Sequence, residues 1–537
     1  MPDDPLERLA DRAATLAGAW GARARASTTL GQERAMLRLF GVGGLDRSGR
    51  PLAGAAVDRW LGSTREGLGG GIALPFAIAL LEYDLEPVQL ALDVASGAVD
   101  LALEAELLRE PDRRARAEAE ASRLASFAIE RIDADRVARR ELIDLLGDAR
   151  RPWLGTSLTE PDLDGALDEV APLAAAGFDL LRVEVPIGRE LADRMHDAGL
   201  DVPEWHPRDG RPSRTDPGAD GPRAGDDDGD QAPTGSQRAL ARIRRVADGV
   251  AAERRGYLRL GMAIPPLGVP EGAVVAAFER VDVVEADPVA EIVVGGVDPD
   301  RSLADHAFAR RLHRRADTHV SIGPGPLVVA PDLVSGQPSD PATRAGRALA
   351  LQLLGVELAR ADGIADDRII VGAYPGWLAD EPSGIGRVIA EIALRRRLFP
   401  DLVLRFDEPV GHDADAPTGL GWTSLAAAGL VHSGARALLM RRPSDGARRS
   451  AGEARAMAAT ARQVAEASAP GPLDGVAAAH ADAVIGAALD TISRLDDLGW
   501  RAVIGDEGAT VRAIGGDAVA DRTEAFDPLA GLDRGPG

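Results

Sequence analysis

Trp153-Leu154-Gly155-Thr156-Ser157-Leu158 opens a stretch, running to Pro443, that repeats one unit: a short apolar run, a turn, then a longer amphipathic run. The apolar runs are Trp153–Leu158, Leu180–Val185, Tyr257–Ile264, Val281–Glu285, His319–Ile322, Ile369–Gly372, Leu402–Phe406 and Ala437–Met440, eight in all. Each is too short for a helix and reads as a strand. Strands alternating with helices imply parallel pairing through right-handed crossovers. Eight such units close a (β/α)8 barrel, and about 290 residues is an ordinary length for one with insertions. An open doubly wound sheet is the alternative arrangement. Helix punctuation agrees with the repeat. Asp340-Pro341 caps Ala342–Asp362, which Gly363 stops, and Asp162–Ala176 ends at Gly177. Glu381-Pro382-Ser383 opens Gly384–Leu398, which ends at Phe399-Pro400.

Around this α/β core the chain reads as helical. From residue 1 to about 150, spaced apolar positions predict helices over Pro5–Ala26, Gln32–Phe40, Val57–Leu61, Gly71–Glu82, Pro87–Ser96 and Ala115–Leu146, with no strong strand signal. The barrel is expected over 151–445. Beyond it, 446–537 carries helices at Glu453–Ala467 and Leu473–Leu498, then a glycine-rich acidic tail with little core. Between the second and third strands, about 201–236 is dense in Pro, Gly and Asp, and is expected to be disordered because it has little to bury. Alternating Asp226, Asp228 and Asp230 hint at a calcium loop, but the rest of such a loop is missing.

Composition restricts the chemistry. The 537 residues include no cysteine, so there is no disulfide or thiolate ligand. All 62 basic residues are arginine, so no side chain offers the primary amine a Schiff base needs. The net charge of -23 opposes binding to nucleic acid or to an anionic membrane surface. The acidic start lacks a signal-peptide core and no apolar run reaches membrane length, so a cytoplasmic protein is expected.

Barrel chemistry gathers at the C-terminal ends of the strands. The polar residues there are Glu184, Glu285, Asp287, Ser321, Tyr374, Asp407, Glu408 and His412, candidates for a substrate or ligand pocket. Converging carboxylates could serve as acid and base or hold a divalent metal. Ordinary strand-end polar groups in an acidic chain give the same pattern. Asp317-Thr318-His319-Val320-Ser321-Ile322-Gly323 approaches the Asp-x-His-x-x-Gly signature of cobalamin-binding domains, but with the wrong spacing and on a barrel strand. The remaining histidines show no metal spacing, and no metal site is expected.

Several runs carry a resemblance. Thr28-Thr29-Leu30-Gly31-Gln32-Glu33-Arg34-Ala35-Met36-Leu37-Arg38-Leu39-Phe40-Gly41 and Ala95-Ser96-Gly97-Ala98-Val99-Asp100-Leu101 are two of them. Arg259-Leu260 with Val269-Pro270-Glu271, then Glu279-Arg280-Val281-Asp282-Val283, then Arg396-Arg397-Leu398-Phe399-Pro400 follow in order. Together they resemble the large (alpha) subunit of lysine 5,6-aminomutase. The resemblance implies a TIM-barrel subunit paired with a smaller beta subunit that brings the cobalamin-binding domain and the lysine holding pyridoxal phosphate. It implies an isomerase that uses adenosylcobalamin and pyridoxal phosphate for a radical amine shift, acting on an amino acid in lysine degradation. The barrel mouth then contributes cofactor and substrate contacts, with Gly188, Arg189 and Asp287 as the cofactor-binding candidates. The chain departs from the family at several contacts. Val185-Pro186-Ile187-Gly188-Arg189-Glu190 keeps only the glycine of an Arg-Thr-Thr-Gly-Gln-Ser run, and Pro265, Ala290 and Gly325 replace a serine, a tyrosine and an aspartate. Two further readings stay open: a non-catalytic paralogue that binds a partner subunit or small ligand, and a metal-dependent barrel enzyme using Glu285 and Asp407.

Overall fold

The computed structural model describes residues 4–63, 67–149, 151–158, 163–184, 235–293, 296–323, 340–373, 384–407, 435–440, 475–503, 519–522 and 526–533. The acidic stretch at 201–236 and the helix expected at Glu453–Ala467 lie outside these residues, the former up to Gly235.

The strands, in chain order, are β1 (Ser27–Thr29), β2 (Trp153–Ser157), β3 (Leu180–Glu184), β4 (Arg259–Ala263), β5 (Val283–Glu285), β6 (His319–Ile322), β7 (Ile369–Ala373), β8 (Val403–Asp407), β9 (Ala437–Met440) and β10 (Val519–Asp521). Strands β2 to β9 pair in sequence as a closed parallel barrel, sealed by β9 against β2 with Trp153 opposite Ala437 and Thr156 opposite Met440. The expected (β/α)8 fold is the observed one. Alternation along each strand divides the core. Trp153, Leu180, Val283, Ile370, Val403 and Ala437 form one cluster inside the barrel. Their neighbours Leu154, Leu181, Val284, Ile369, Leu404 and Leu438 join the larger cluster under the surrounding helices.

The helix punctuation acts as expected. Asp340 caps Pro341–Ala361 by accepting from the Ala342 and Thr343 amides, while Gly363 turns the chain at φ +83°. Helix Gly475–Leu498 packs across Pro341–Ala361 so closely that a Cβ on Gly346 would sit 2.6 Å from the Val484 carbonyl oxygen and 2.8 Å from the Ala488 nitrogen. Alanine in an open helix position stabilises by about 0.5–1 kcal/mol over glycine. Here the backbone of the crossing helix blocks it, and overpacking costs about 1–3 kcal/mol. Gly346→Ala is therefore expected to lower the melting temperature; an unchanged or raised value would show that the crossing is loose.

The N-terminal helices lie on the barrel wall. Gln32 Nε2 donates to the Ala304 carbonyl at 2.8 Å, and Arg38 pairs with Glu271 at 2.7 Å. Two expectations are corrected. The N-terminal region is not wholly helical, because β1 pairs antiparallel with β10, Ser27 opposite Asp521. Three residues are too few to show an alternation, and the partner strand lies almost 500 residues away in sequence. The tail also contributes core: Leu529 and Leu532 are buried, and Asp527 and Asp533 pair with Arg311 at 2.7 and 2.8 Å. Among the described residues no helix is long and apolar enough to cross a membrane.

Candidate functional site at the barrel mouth

One step above the apolar layer inside the barrel, the same inward positions turn polar. Two residues beyond Leu180, Val283 and Val403 come Arg182, Glu285 and Arg405, and two beyond His319 comes Ser321. Glu285 sits between the two arginines. Arg182 Nε donates to its Oε2 at 2.7 Å and Arg405 Nη1 to its Oε1 at 2.8 Å. Arg182 also donates to the Ser157 hydroxyl at 3.3 Å, and Arg405 to the Ser321 hydroxyl at 2.8 Å. Side-chain exposures of 19% for Arg182, 21% for Glu285 and 6% for Arg405 place this layer at the edge of solvent. Charge-assisted hydrogen bonds of this kind are short and directional. In this layer two guanidinium groups share one carboxylate.

A second network supports the rim from behind. Gln352, on Pro341–Ala361, donates to the Gly323 carbonyl and, at 2.6 Å, to that of Gly372 at the end of β7. Its Oε1 accepts from Arg395 Nε at 2.8 Å, and Arg395 continues to Glu391, which lies 3.4 Å from His480 Nε2. Burial depresses the Arg395 pKa despite Glu391. Asp287 is held in the loop after β5, accepting from the amides of Val289 at 3.0 Å, Ala290 at 3.4 Å and Gly323 at 3.1 Å. Burial raises its pKa, and three backbone donors together with nearby His306 pull the other way. Gly355 makes room for this loop, since a Cβ there would meet Ile322 Cγ2 at 3.0 Å and Asp287 Oδ1 at 3.6 Å.

The candidate residues distribute as follows. Glu285 and Ser321 meet in the arginine layer. Asp287 lies beside them in sequence but is committed to backbone amides of its own loop and of Gly323. Glu184 and Asp407 end β3 and β8, and their side chains are outside the described residues, as are Gly188, Arg189, Tyr374, Glu408, His412 and Gly325 altogether. Of the family contacts that differ, Pro265 offers its carbonyl to the Gly268 amide at 3.2 Å, and Ala290 lies in the short helix Pro288–Val293. Arg182, Arg405 and Gln352 escaped the sequence reading, which looked for polar groups at strand ends. The available signal was a repeated pattern: Leu180-Leu181-Arg182-Val183-Glu184 and Val403-Leu404-Arg405-Phe406-Asp407 both place arginine inside an apolar strand. A charge there is expensive unless paired. No group of three or more His, Asp or Glu among the described residues is placed to hold a metal ion.

Comparison with known proteins adds the following. A family described as the D-lysine 5,6-aminomutase TIM-barrel domain of alpha subunit matches residues 3–195 and 227–416. The break in that match overlaps the acidic stretch. The lysine 5,6-aminomutase alpha subunit of Acetoanaerobium sticklandii is 23% identical over 383 residues, covering 71% of this chain and 66% of that protein. That of Fusobacterium nucleatum is 22% identical over 392 residues, covering 72% and 66% respectively. The chain thus matches just under two thirds of the length of these relatives. Among solved structures, a Yersinia pestis dihydropteroate synthase in complex with a sulfonamide drug aligns at 15% identity and a TM-score of 0.35, over 59% of this chain and 96% of that one.

Proposed function

The chain belongs to the family of the D-lysine 5,6-aminomutase alpha-subunit TIM-barrel domain, and on that premise we propose that it is the barrel subunit of an aminomutase shifting an amine between adjacent carbons of a lysine-like amino acid. The observation that carries this reading is the Arg182–Glu285–Arg405 layer at the floor of the mouth. Its guanidinium and serine hydroxyl donors suit an anionic group, either a substrate carboxylate or a cofactor phosphate. Glu285 fixes both guanidinium planes before any ligand arrives, so little side-chain entropy remains to be lost on binding. Gln352 and Arg395 hold the ends of β6 and β7 from behind and keep that floor rigid.

Adenosylcobalamin supplies a radical and pyridoxal phosphate a carrier for the amine when they are bound. This chain has no lysine, so the amine that anchors pyridoxal phosphate comes from a smaller partner subunit, together with the cobalamin-binding domain. Among the described residues, Arg182, Arg405, Ser157 and Ser321 are the groups that would meet an anionic end of cofactor or substrate.

The test is reconstitution. The chain is co-expressed with a small subunit carrying a cobalamin-binding domain and a lysine, then supplied with adenosylcobalamin, pyridoxal phosphate and D-lysine. Mass spectrometry and NMR are expected to find the amine on the neighbouring carbon. Arg182→Gln should raise KM by about tenfold, the cost of one charge-assisted hydrogen bond. A complex that assembles, binds both cofactors and moves no amine on lysine or its homologues would replace this reading with the non-catalytic one.

A further inference from the structure

The opposite end of the barrel, where the strands begin, carries a second concentration of guanidinium groups. Trp153, Arg259 and His319 start the alternate strands β2, β4 and β6 and close the barrel floor. The Trp153 and His319 rings meet edge to face at 5.3 Å. The Arg259 guanidinium lies 4.0 Å from the Trp153 ring centre and that of Arg151 lies 5.2 Å from it. Arg368 and Arg436 immediately precede β7 and β9.

Carboxylates nearby pair with only some of these groups. Asp148 pairs with Arg259, while Asp317 and Asp367 pair with Arg368. Asp317 is shared with Arg140, and exposed Asp401 lies before β8. Arg151 and Arg436 have no ion-pair partner among the described residues. The Arg151 pKa is depressed first by partial burial and then by repulsion from Arg436; Asp148 pulls it back, and Arg259 and Arg368 add smaller repulsions. Beneath them are two donors without acceptors: Nη1 of Arg259 and Nε1 of Trp153 are buried and make no hydrogen bond. Buried donors are rarely left so, and each unmet one costs free energy. An acceptor-rich anion is what both features lack.

We propose that this N-terminal end of the barrel is a binding site for a phosphate-class dianion, free or as a phosphate monoester. Arg151 and Arg436 grip it, and Arg259 and Trp153 provide donors at the base. Two guanidinium groups against one ring, with Arg436 just before the strand beside it, favour a tetrahedral dianion over a single carboxylate. The site is independent of the mouth and of the amine chemistry proposed there, and lies on the far side of the barrel's apolar layer.

Isothermal titration of the full chain tests it, with inorganic phosphate, glycerol phosphate and acetate as probes. One equivalent of phosphate that depends on Arg151 and Arg436 is expected, with acetate weaker there by about tenfold or more, as one lost charge-assisted hydrogen bond requires. The double variant Arg151→Ala/Arg436→Ala should weaken phosphate by at least about tenfold, two such bonds being removed. Phosphate taken up at the mouth is removed by Arg182→Gln, which should leave the equivalent that depends on Arg151 and Arg436 in place. Arg151 is exposed, so Arg151→Ala alone keeps the test open if the double variant fails to fold. Glycerol phosphate binding as tightly as phosphate assigns the monoester, and weaker binding assigns the free ion. No phosphate binding by the wild-type chain, equal affinity for acetate, or binding undiminished by the Arg151 and Arg436 changes would overturn the proposal.

Discussion

Glu285→Ala is expected to destabilise the protein by about 2–4 kcal/mol, a large effect for one side chain. Breaking a buried ion pair by removing one partner costs about 3–5 kcal/mol, because the remaining charge stays buried. Here two arginines depend on the same carboxylate, at 2.7 and 2.8 Å, and their partial exposure to water reduces the cost. Arg405, at 6% side-chain exposure, is the more deeply buried of the two. Glu285→Gln keeps one oxygen acceptor and nearly the same volume, and should cost less than half as much. The two variants also separate stability from recognition. With the carboxylate gone the floor becomes more positive, so the Gln variant should hold an anionic ligand more tightly while melting lower. Urea unfolding followed by circular dichroism measures the first effect, and titration with the ligand in the reconstituted complex measures the second. Equal stability of Glu285→Ala and wild type would mean that water already screens the arginine layer.

The barrel was legible because its signal is redundant. Eight apolar runs were each too short for a helix and most were followed by a turn signal, and the observed strands match them to within a few residues at each end. Gly177 and Gly363 marked helix ends that the structure confirms with φ of +101° and +83°. The β1–β10 pairing was not legible. Ser27–Thr29 shows no pattern of its own, and what holds it there is remote: β10, and Asp305, which accepts a hydrogen bond from Thr29. The candidate site was half legible for a related reason. Glu285 and Ser321 stood at strand ends where barrel chemistry is expected, but their arginine partners sit mid-strand on β3 and β8, and only closure of the barrel brings them together. Sequence could flag the arginines as costly, not say what neutralises them.

A buried carboxyl at the edge of the mouth loop gives the other large effect. Glu291 is fully enclosed between Pro288–Val293 and Pro299–Ala316, where burial pushes its pKa up to about 8 even though the Ser302 hydroxyl donates to it at 2.8 Å and Arg301 is near. Its other close neighbour is His306, with Nε2 3.3 Å away and a pKa that burial depresses to about 3, so both groups are neutral at mid-range pH. A folded-state pKa raised above the unfolded value means the folded protein holds the extra proton. The stability this gives is full below the unfolded value near 4.5 and is lost as pH rises through about 8. Other groups overlap below pH 6.5. Asp305, raised to about 6, adds to the fall with rising pH, whereas His306, His313 and His319, all depressed to about 3, oppose it. Glu33 and Asp287, both raised by burial, act in the same direction as Glu291, so its part is read from the difference to Glu291→Gln. The Glu291 contribution should fall by about 1.4 kcal/mol per pH unit above 6.5, roughly 2 kcal/mol in total by pH 8. Glu291→Gln keeps an acceptor for Ser302 and removes the titration. The difference between the wild-type and Gln variant stabilities, measured by urea unfolding at pH 6.5, 7.25 and 8, should therefore slope steadily in favour of the variant. Parallel profiles would show that Glu291 is already ionised in the folded protein and that water or Arg301 reaches it.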